Sequence, residues 1–265
     1  VKSPKSSNAW GEYGLVLMAH DFRDEAAECY AEATRLNPKD YRWPYYHGIT
    51  VAVNDRDTAL KDFKKATQLA PDNLSARLRL AEWYYDLQKL DAAAEQFQAA
   101  AERLESGLPK TEATMYQART ENGMARVLKD QGKKEEALEW ALRASKSPLG
   151  QRRDVWQLIA ELHQQLGDTD AALVAQDAAE TAPAQAVWPE PEMGRAAQYL
   201  RDASLMYAQA EMAWSQGQFD QAMQILLSIG ELEPNDQKWK LRLGEMFRDS
   251  NRLEDGVRFV SNTIK

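Results

Sequence analysis

The chain has 265 residues, 33 Lys and Arg against 41 Asp and Glu, a net charge of −8 and 44% hydrophobic residues. That supplies enough apolar sequence for a sizeable core. The acidic balance argues against nucleic acid as a partner, because phosphates need a basic surface. A single cysteine, Cys29, excludes an internal disulfide, and the longest apolar run, 15–19, falls far short of a membrane span.

Residues 9–40 read as two amphipathic helices joined by a short polar turn. Trp10, Tyr13, Gly14 and Leu17 lie in the first, Ala26, Tyr30 and Ala33 in the second, and Pro38 follows it. Residues 42–73 repeat the pattern with Trp43, Gly48, Ala59, Phe63, Ala66 and Pro71. One residue is missing before Asn54, which is expected to take the left-handed conformation at the end of the first helix. Residues 76–104 give Leu80, Ala81, Tyr84, Ala93, Phe97 and Ala100; residues 118–148 give Met124, Ala125, Leu128, Gly132, Ala137, Ala141 and Ala144. Residues 155–183 follow with Trp156, Ile159, Ala160, His163, Gly167, Ala172 and Ala179. Then come 205–234, with Ala210, Gly217, Ala222, Leu226, Ile229 and Pro234, and 241–265, with Leu243, Gly244, Phe247 and Gly256. Gly132, Gly167 and Gly217 stand where a first helix ends and a left-handed residue is needed.

This spacing resembles the tetratricopeptide repeat family: a Trp, a large apolar and a small residue, an aromatic, then Ala, an aromatic, Ala and Pro. Seven copies in phase span nearly the whole chain. The resemblance implies an all-α fold, an α-solenoid in which antiparallel helix pairs wind into a right-handed superhelix. Small residues such as Gly14 and Ala26, or Ala81 and Ala93, should mark the helix crossings, and Tyr30 and Phe97 should fill the gap to the next repeat.

Two stretches break the rhythm. In 106–117, Gly107 and Pro109 punctuate the chain and Thr111 is a candidate helix cap before an extended helix. In 181–194, Pro183, Pro189 and Pro191 bar a continuous helix, and a long helical run over 195–216 follows. The expected organisation is a five-repeat block at 1–180, a connector at 181–202 and a two-repeat block at 203–265.

Catalytic and metal signatures do not emerge. His20, His47 and His163 lie in different repeats at no zinc-binding spacing, and neither a phosphate loop nor a nucleophile elbow is present, so no cofactor is expected. His163 reads as a packing residue and Cys29 as a buried thiol. The stretch RWPYYHG, 42–48, is mostly a helix start: Trp43 packs, Pro44 suits a first turn and Gly48 makes a close contact.

What remains is the inner face implied by the resemblance. Tyr45 falls on it. Arg79, Glu82 and Tyr85 follow at helical spacing, as do Arg119, Asn122, Arg126 and Lys129, and later Tyr207, Glu211 and Trp214. Basic residues beside Asn and Tyr suit a carboxylate, so the expected partner is a protein or peptide with an acidic or C-terminal segment. The carboxylate clamp of chaperone-binding family members is not reproduced. Its places fall on Gly11, Leu15, Tyr45, Ser75 and Arg79, of which only Arg79 matches; Lys238 and Arg242 match in the final copy without their partners.

The expected function is a non-catalytic scaffold or adaptor that assists assembly of a larger complex; the rival is a non-catalytic subunit or excised domain of a larger enzyme. The opening Val1 suggests a mature form or an excised segment. By analogy with bacterial repeat proteins, a periplasmic or cell-envelope setting is favoured over the cytoplasm.

Overall fold

The structure, a computed structural model, describes residues 5–183, 188–199, 203–215, 217–233, 238–249 and 254. Pro234 and Gly256 of the repeat pattern, and parts of the 181–194 and 195–216 stretches, lie outside these. The described residues form helices and no strands. They fall into two compact units, 1–197 and 198–265.

The first unit holds five antiparallel helix pairs in sequence. They are α1 (Ser7–Ala19) with α2 (Arg23–Leu36), α3 (Arg42–Val51) with α4 (Arg56–Leu69), α5 (Leu74–Asp86) with α6 (Leu90–Glu105), α7 (Lys110–Asp130) with α8 (Lys134–Ser145), and α9 (Arg153–Leu166) with α10 (Thr169–Thr181). Each helix packs on its neighbours in the chain, the layout of a solenoid. Short polar side chains start several of them: Ser6, Asp55, Asn73 and Asp168 each accept a backbone N–H of the first turn.

The aromatic residues of the second helices seal one pair to the next. Tyr30 stacks on Tyr46 of the following pair at 5.5 Å, and Phe63 meets Trp83 of its successor edge-on at 5.6 Å. Phe97 lies against Gly123 of α7 so closely that a Cβ there would fall 2.2 Å from its ring. Within their own pairs, Gly14 and Gly48 receive Tyr30 and Phe63 at similarly close range. Ala26, Ala81 and Ala93 are fully buried.

Most first helices end in a turn whose N–H reaches five residues back, as from Lys133 to the Leu128 carbonyl at 2.9 Å and from Asp168 to His163 at 2.9 Å. The left-handed residue in these turns is Gly132, Gly167 or Gly217, but Asp21 and Gln88 in the first and third pairs. Asn54 is not left-handed, contrary to expectation. The missing residue shortens that turn, so Asp55 bonds to the carbonyl four back, Val51, at 2.8 Å, and no left-handed residue is required. Thr111 is not a cap either: α7 starts one residue earlier, at Lys110, behind Pro109, whose ring fixes an extended entry.

After α10 the chain does not resume as one helix at 195. Helix α11 (Pro191–Ala197) begins inside the proline-rich stretch, with Pro191 in the first turn, where its missing N–H costs nothing, and it gives way to a turn at 198–199. It lies against α1, in the first unit. The second unit contains α12 (Ala203–Ser215), α13 (Phe219–Leu232) and α14 (Lys238–Asp249), packed around Ala210, Leu226, Ile229, Trp239 and Leu243. Among the described residues no helix is long and apolar enough to cross a membrane.

Candidate functional site

The first helices of the five pairs bring their polar residues to one face, and the segment 188–195 lies across it. Trp188 sits beneath the Arg152 guanidinium, 3.9 Å from ring centroid to Cζ, at the start of α9. Glu190 reaches α5 and α7: its Oε2 accepts from Arg79 Nη2, and from Arg119 Nη1 at 3.2 Å. Glu192 reaches α3 and the start of α5. Its Oε1 accepts from Asn73 Nδ2 at 3.0 Å and from the Tyr41 hydroxyl at 3.4 Å, and its backbone carbonyl accepts from the Tyr46 hydroxyl at 2.8 Å. Arg195 reaches α1, donating to Glu12 at 2.6 Å. The segment therefore traverses the pairs in reverse order, from the fifth to the first.

The centre is an ionic cluster. Arg119, with only 2% of its side chain exposed, forks onto Glu82, with both N···O distances 2.7 Å, and touches Glu190 with a third nitrogen. This forked geometry is what guanidinium offers a carboxylate and ammonium does not. Burial would raise the Glu82 carboxyl, but the charges and hydrogen bonds of Arg119, with Arg79 and Arg126, outweigh it and hold Glu82 below the usual carboxylate range. Around Glu190, burial and then the Glu192 charge push the carboxyl up, and the two guanidiniums in contact oppose that push. Burial and Glu192 likewise push the Tyr41 hydroxyl up to about 12.

The predicted residues divide into four groups. Arg79, Glu82 and Arg119 form the cluster. Tyr85, Arg126 and Lys129 edge it: Arg126 is exposed and stacks on Tyr85 at 4.5 Å, the Tyr85 hydroxyl donates to Asp130 at 2.6 Å, and Lys129 bridges to Glu161 at 2.9 Å. Asn122 is buried beside them, with its Oδ1 lacking a partner among the described residues, and it lines a small cavity with Trp188 and Arg126. Tyr45, expected on the open surface, is fully buried instead. Its ring meets Tyr46 edge-on at 5.3 Å, so Tyr45 serves the packing beneath the groove. Tyr207 and Trp214 belong to the second unit. Trp214 is half-buried against Phe219 at 4.7 Å, and Tyr207 lines a separate cleft of about 300 Å³ with Glu211, Lys238 and Arg242. There Arg242 pairs with Glu211, and with Glu245 at 2.8 Å.

Sequence reasoning missed Trp188, Glu190 and Glu192, and with them Tyr41, Asn73 and Arg152. The signal was present in WPEPE, an aromatic and two carboxylates held between prolines, but its partners lie up to about 150 residues away. The imidazoles are distributed: His47 pairs with Asp62 at 2.5 Å and His163 with Asp168 at 3.4 Å, in different helix pairs. Cys29 is buried, and burial followed by Glu28 raises its pKa. A cleft of about 690 Å³ between α9 and α10, lined by Gln157, Glu161, Leu173 and Gln176, holds none of the predicted residues.

Residues 51–105 match the family model described as tetratricopeptide repeat. A search of curated proteins gave no match. Solved structures are similar in fold. A structure from the functional characterization of Pseudomonas aeruginosa pilF is 13% identical, with a TM-score of 0.58 over 90% of this chain and 97% of that one. A crystal structure of MamA is 18% identical, with a TM-score of 0.54 over 62% of this chain and 90% of that one. YrrB, titled a TPR protein with an unusual peptide-binding site, is 18% identical, with a TM-score of 0.53 over 67% and 87%.

Proposed function

We propose that this chain, a tetratricopeptide-repeat protein, is a non-catalytic scaffold that holds an acidic, extended segment of a partner protein along the inner face of its first unit and so helps assemble a larger complex. One observation carries the reading: Arg79 and Arg119 converge on a single carboxylate brought in by an extended stretch of chain. Two guanidiniums on one carboxylate give orientation as well as attraction. Exposed Arg126, stacked on Tyr85, adds a further cation beside the cluster for an acidic segment to approach. YrrB, whose title names a peptide-binding site, supports the same general use of the fold.

A photo-reactive residue placed at exposed Asp86, beside Arg126 and Tyr85, in the native source tests it. The expected result is one stoichiometric partner, cross-linked through a segment rich in Asp and Glu, and lost from co-purification in Tyr85→Ala and Arg126→Glu variants. Cross-links scattered over many proteins, or recovery unchanged in both variants, would contradict it. By analogy with bacterial repeat proteins we also propose a periplasmic or cell-envelope setting, where fractionation should find it; recovery in the cytosolic fraction would remove that part.

A further inference from the structure

We infer that Trp188–Arg195 is the groove's own stand-in ligand, displaying the peptide chemistry the groove selects, and that it must leave before a partner segment of that chemistry can enter. The inference rests on the groove-binding reading above and adds to it a recognition pattern and a gate.

The pattern is an aromatic residue followed, two and four positions later, by carboxylates: Trp188, Glu190 and Glu192. The receptors are spread over four helix pairs, with α5 and its cap serving both carboxylates. Arg152 caps the aromatic face, Arg79 and Arg119 take the first carboxylate, and Asn73 and Tyr41 take the second. Pro189 and Pro191 keep 188–190 out of the helix that follows, so Trp188 and Glu190 are presented from non-helical chain and Glu192 from the first turn of α11. A partner segment with the same order of groups meets the same receptors.

The segment is held in a manner that permits exchange. Its anchors are polar side chains, one backbone carbonyl and the Trp188 ring, which packs half-buried against the apolar core. Burying the two carboxylates costs desolvation that their ion pairs only roughly offset. Each also keeps one oxygen, Glu190 Oε1 and Glu192 Oε2, with no partner among the described residues. Beside the cluster, a cavity of about 130 Å³ is lined by Ile49, Phe63, Glu82 and Trp83 and by none of the segment's residues. Covalent attachment compensates for weak contacts by keeping the local concentration of the segment high. A partner therefore competes with an occupant that is always present and incompletely satisfied.

The test uses the full chain and a fluorescent synthetic peptide, Trp-Pro-Glu-Pro-Glu-Met-Gly-Arg-Ala-Ala, read by anisotropy. The Glu190→Gln/Glu192→Gln chain keeps side-chain size but loosens the internal occupant. It is expected to bind the peptide about tenfold or more tightly than the wild type, the ratio for a groove open a tenth of the time. Replacing both glutamates of the peptide by Gln should abolish that binding. Equal affinity in the two chains would overturn the gate and leave the groove reading standing; no binding by either would overturn both. Hydrogen exchange on the unaltered chain covers the case in which the variant folds poorly. Saturating peptide should speed exchange across 188–197 and leave α5 and α7 protected, whereas unchanged exchange across 188–197 in the peptide-bound protein would overturn the gate.

Discussion

Substituting Arg119 by Met keeps most of the apolar stem and removes the guanidinium. In the native chain that group makes two bonds of 2.7 Å to Glu82 and one of 3.2 Å to Glu190. After the change Glu190, with 2% of its side chain exposed, keeps only Arg79, while Glu82 retains its longer 3.8 Å approach to Arg79 and 28% exposure. Removing one partner of a buried pair costs about 3–5 kcal/mol. Partial solvation of Glu82 and the surviving Arg79 contact bring the expected loss below that range, to about 2–3 kcal/mol. Urea unfolding followed by far-UV circular dichroism measures it, with a second curve for Arg119→Met/Glu190→Gln. The double variant should lose less than the sum of the singles, by about 1–2 kcal/mol, because the orphaned charge is gone. An Arg119→Met loss under about 0.5 kcal/mol, or strict additivity, would refute the claim that this guanidinium joins the groove to the segment.

Other outcomes follow from the same geometry. Ala93→Leu overpacks a fully buried crossing and should cost about 1–3 kcal/mol in thermal melts. Gly132→Ala places a side chain at φ 81° and should cost about 1 kcal/mol, while Gln88→Gly relieves a left-handed glutamine at φ 57° and should be neutral to slightly stabilising. Glu82 sits below its ordinary pKa, so its stabilising contribution is complete above about pH 4.3 and disappears as pH falls through its lower folded value. Wild-type stability should therefore drop on acidification in that window, and the drop should be shallower in Arg119→Met.

Helix pairing was legible because it rests on local spacing. Gly or Ala at a crossing and an aromatic on the partner helix, as in Gly48 with Phe63, recur within a few tens of residues and repeat along the chain. Turn endings were legible where glycine marked them. They were misread at Asn54, where deletion of a residue changes which carbonyl closes the turn, and at Thr111, where Pro109 sets the helix start instead. Arg79, Glu82 and Arg119 were reachable from helical periodicity. Tyr45 was not correctly placed, because two adjacent tyrosines differ by about 100° on a helix and both are enclosed here. The docked segment was illegible for a different reason. Glu190 and Glu192 belong to no repeat, and their pairing with Arg119 and Asn73 obeys charge and shape across a long sequence separation rather than any period.

The most direct measurement is a crystal structure of the Glu190→Gln/Glu192→Gln chain bound to the free ten-residue peptide. The account predicts the peptide's first glutamate between Arg79 and Arg119, its Trp under Arg152, and the chain's own 188–195 displaced. A peptide seated elsewhere, or the internal segment still lying across the first helices with the peptide bound, would contradict it.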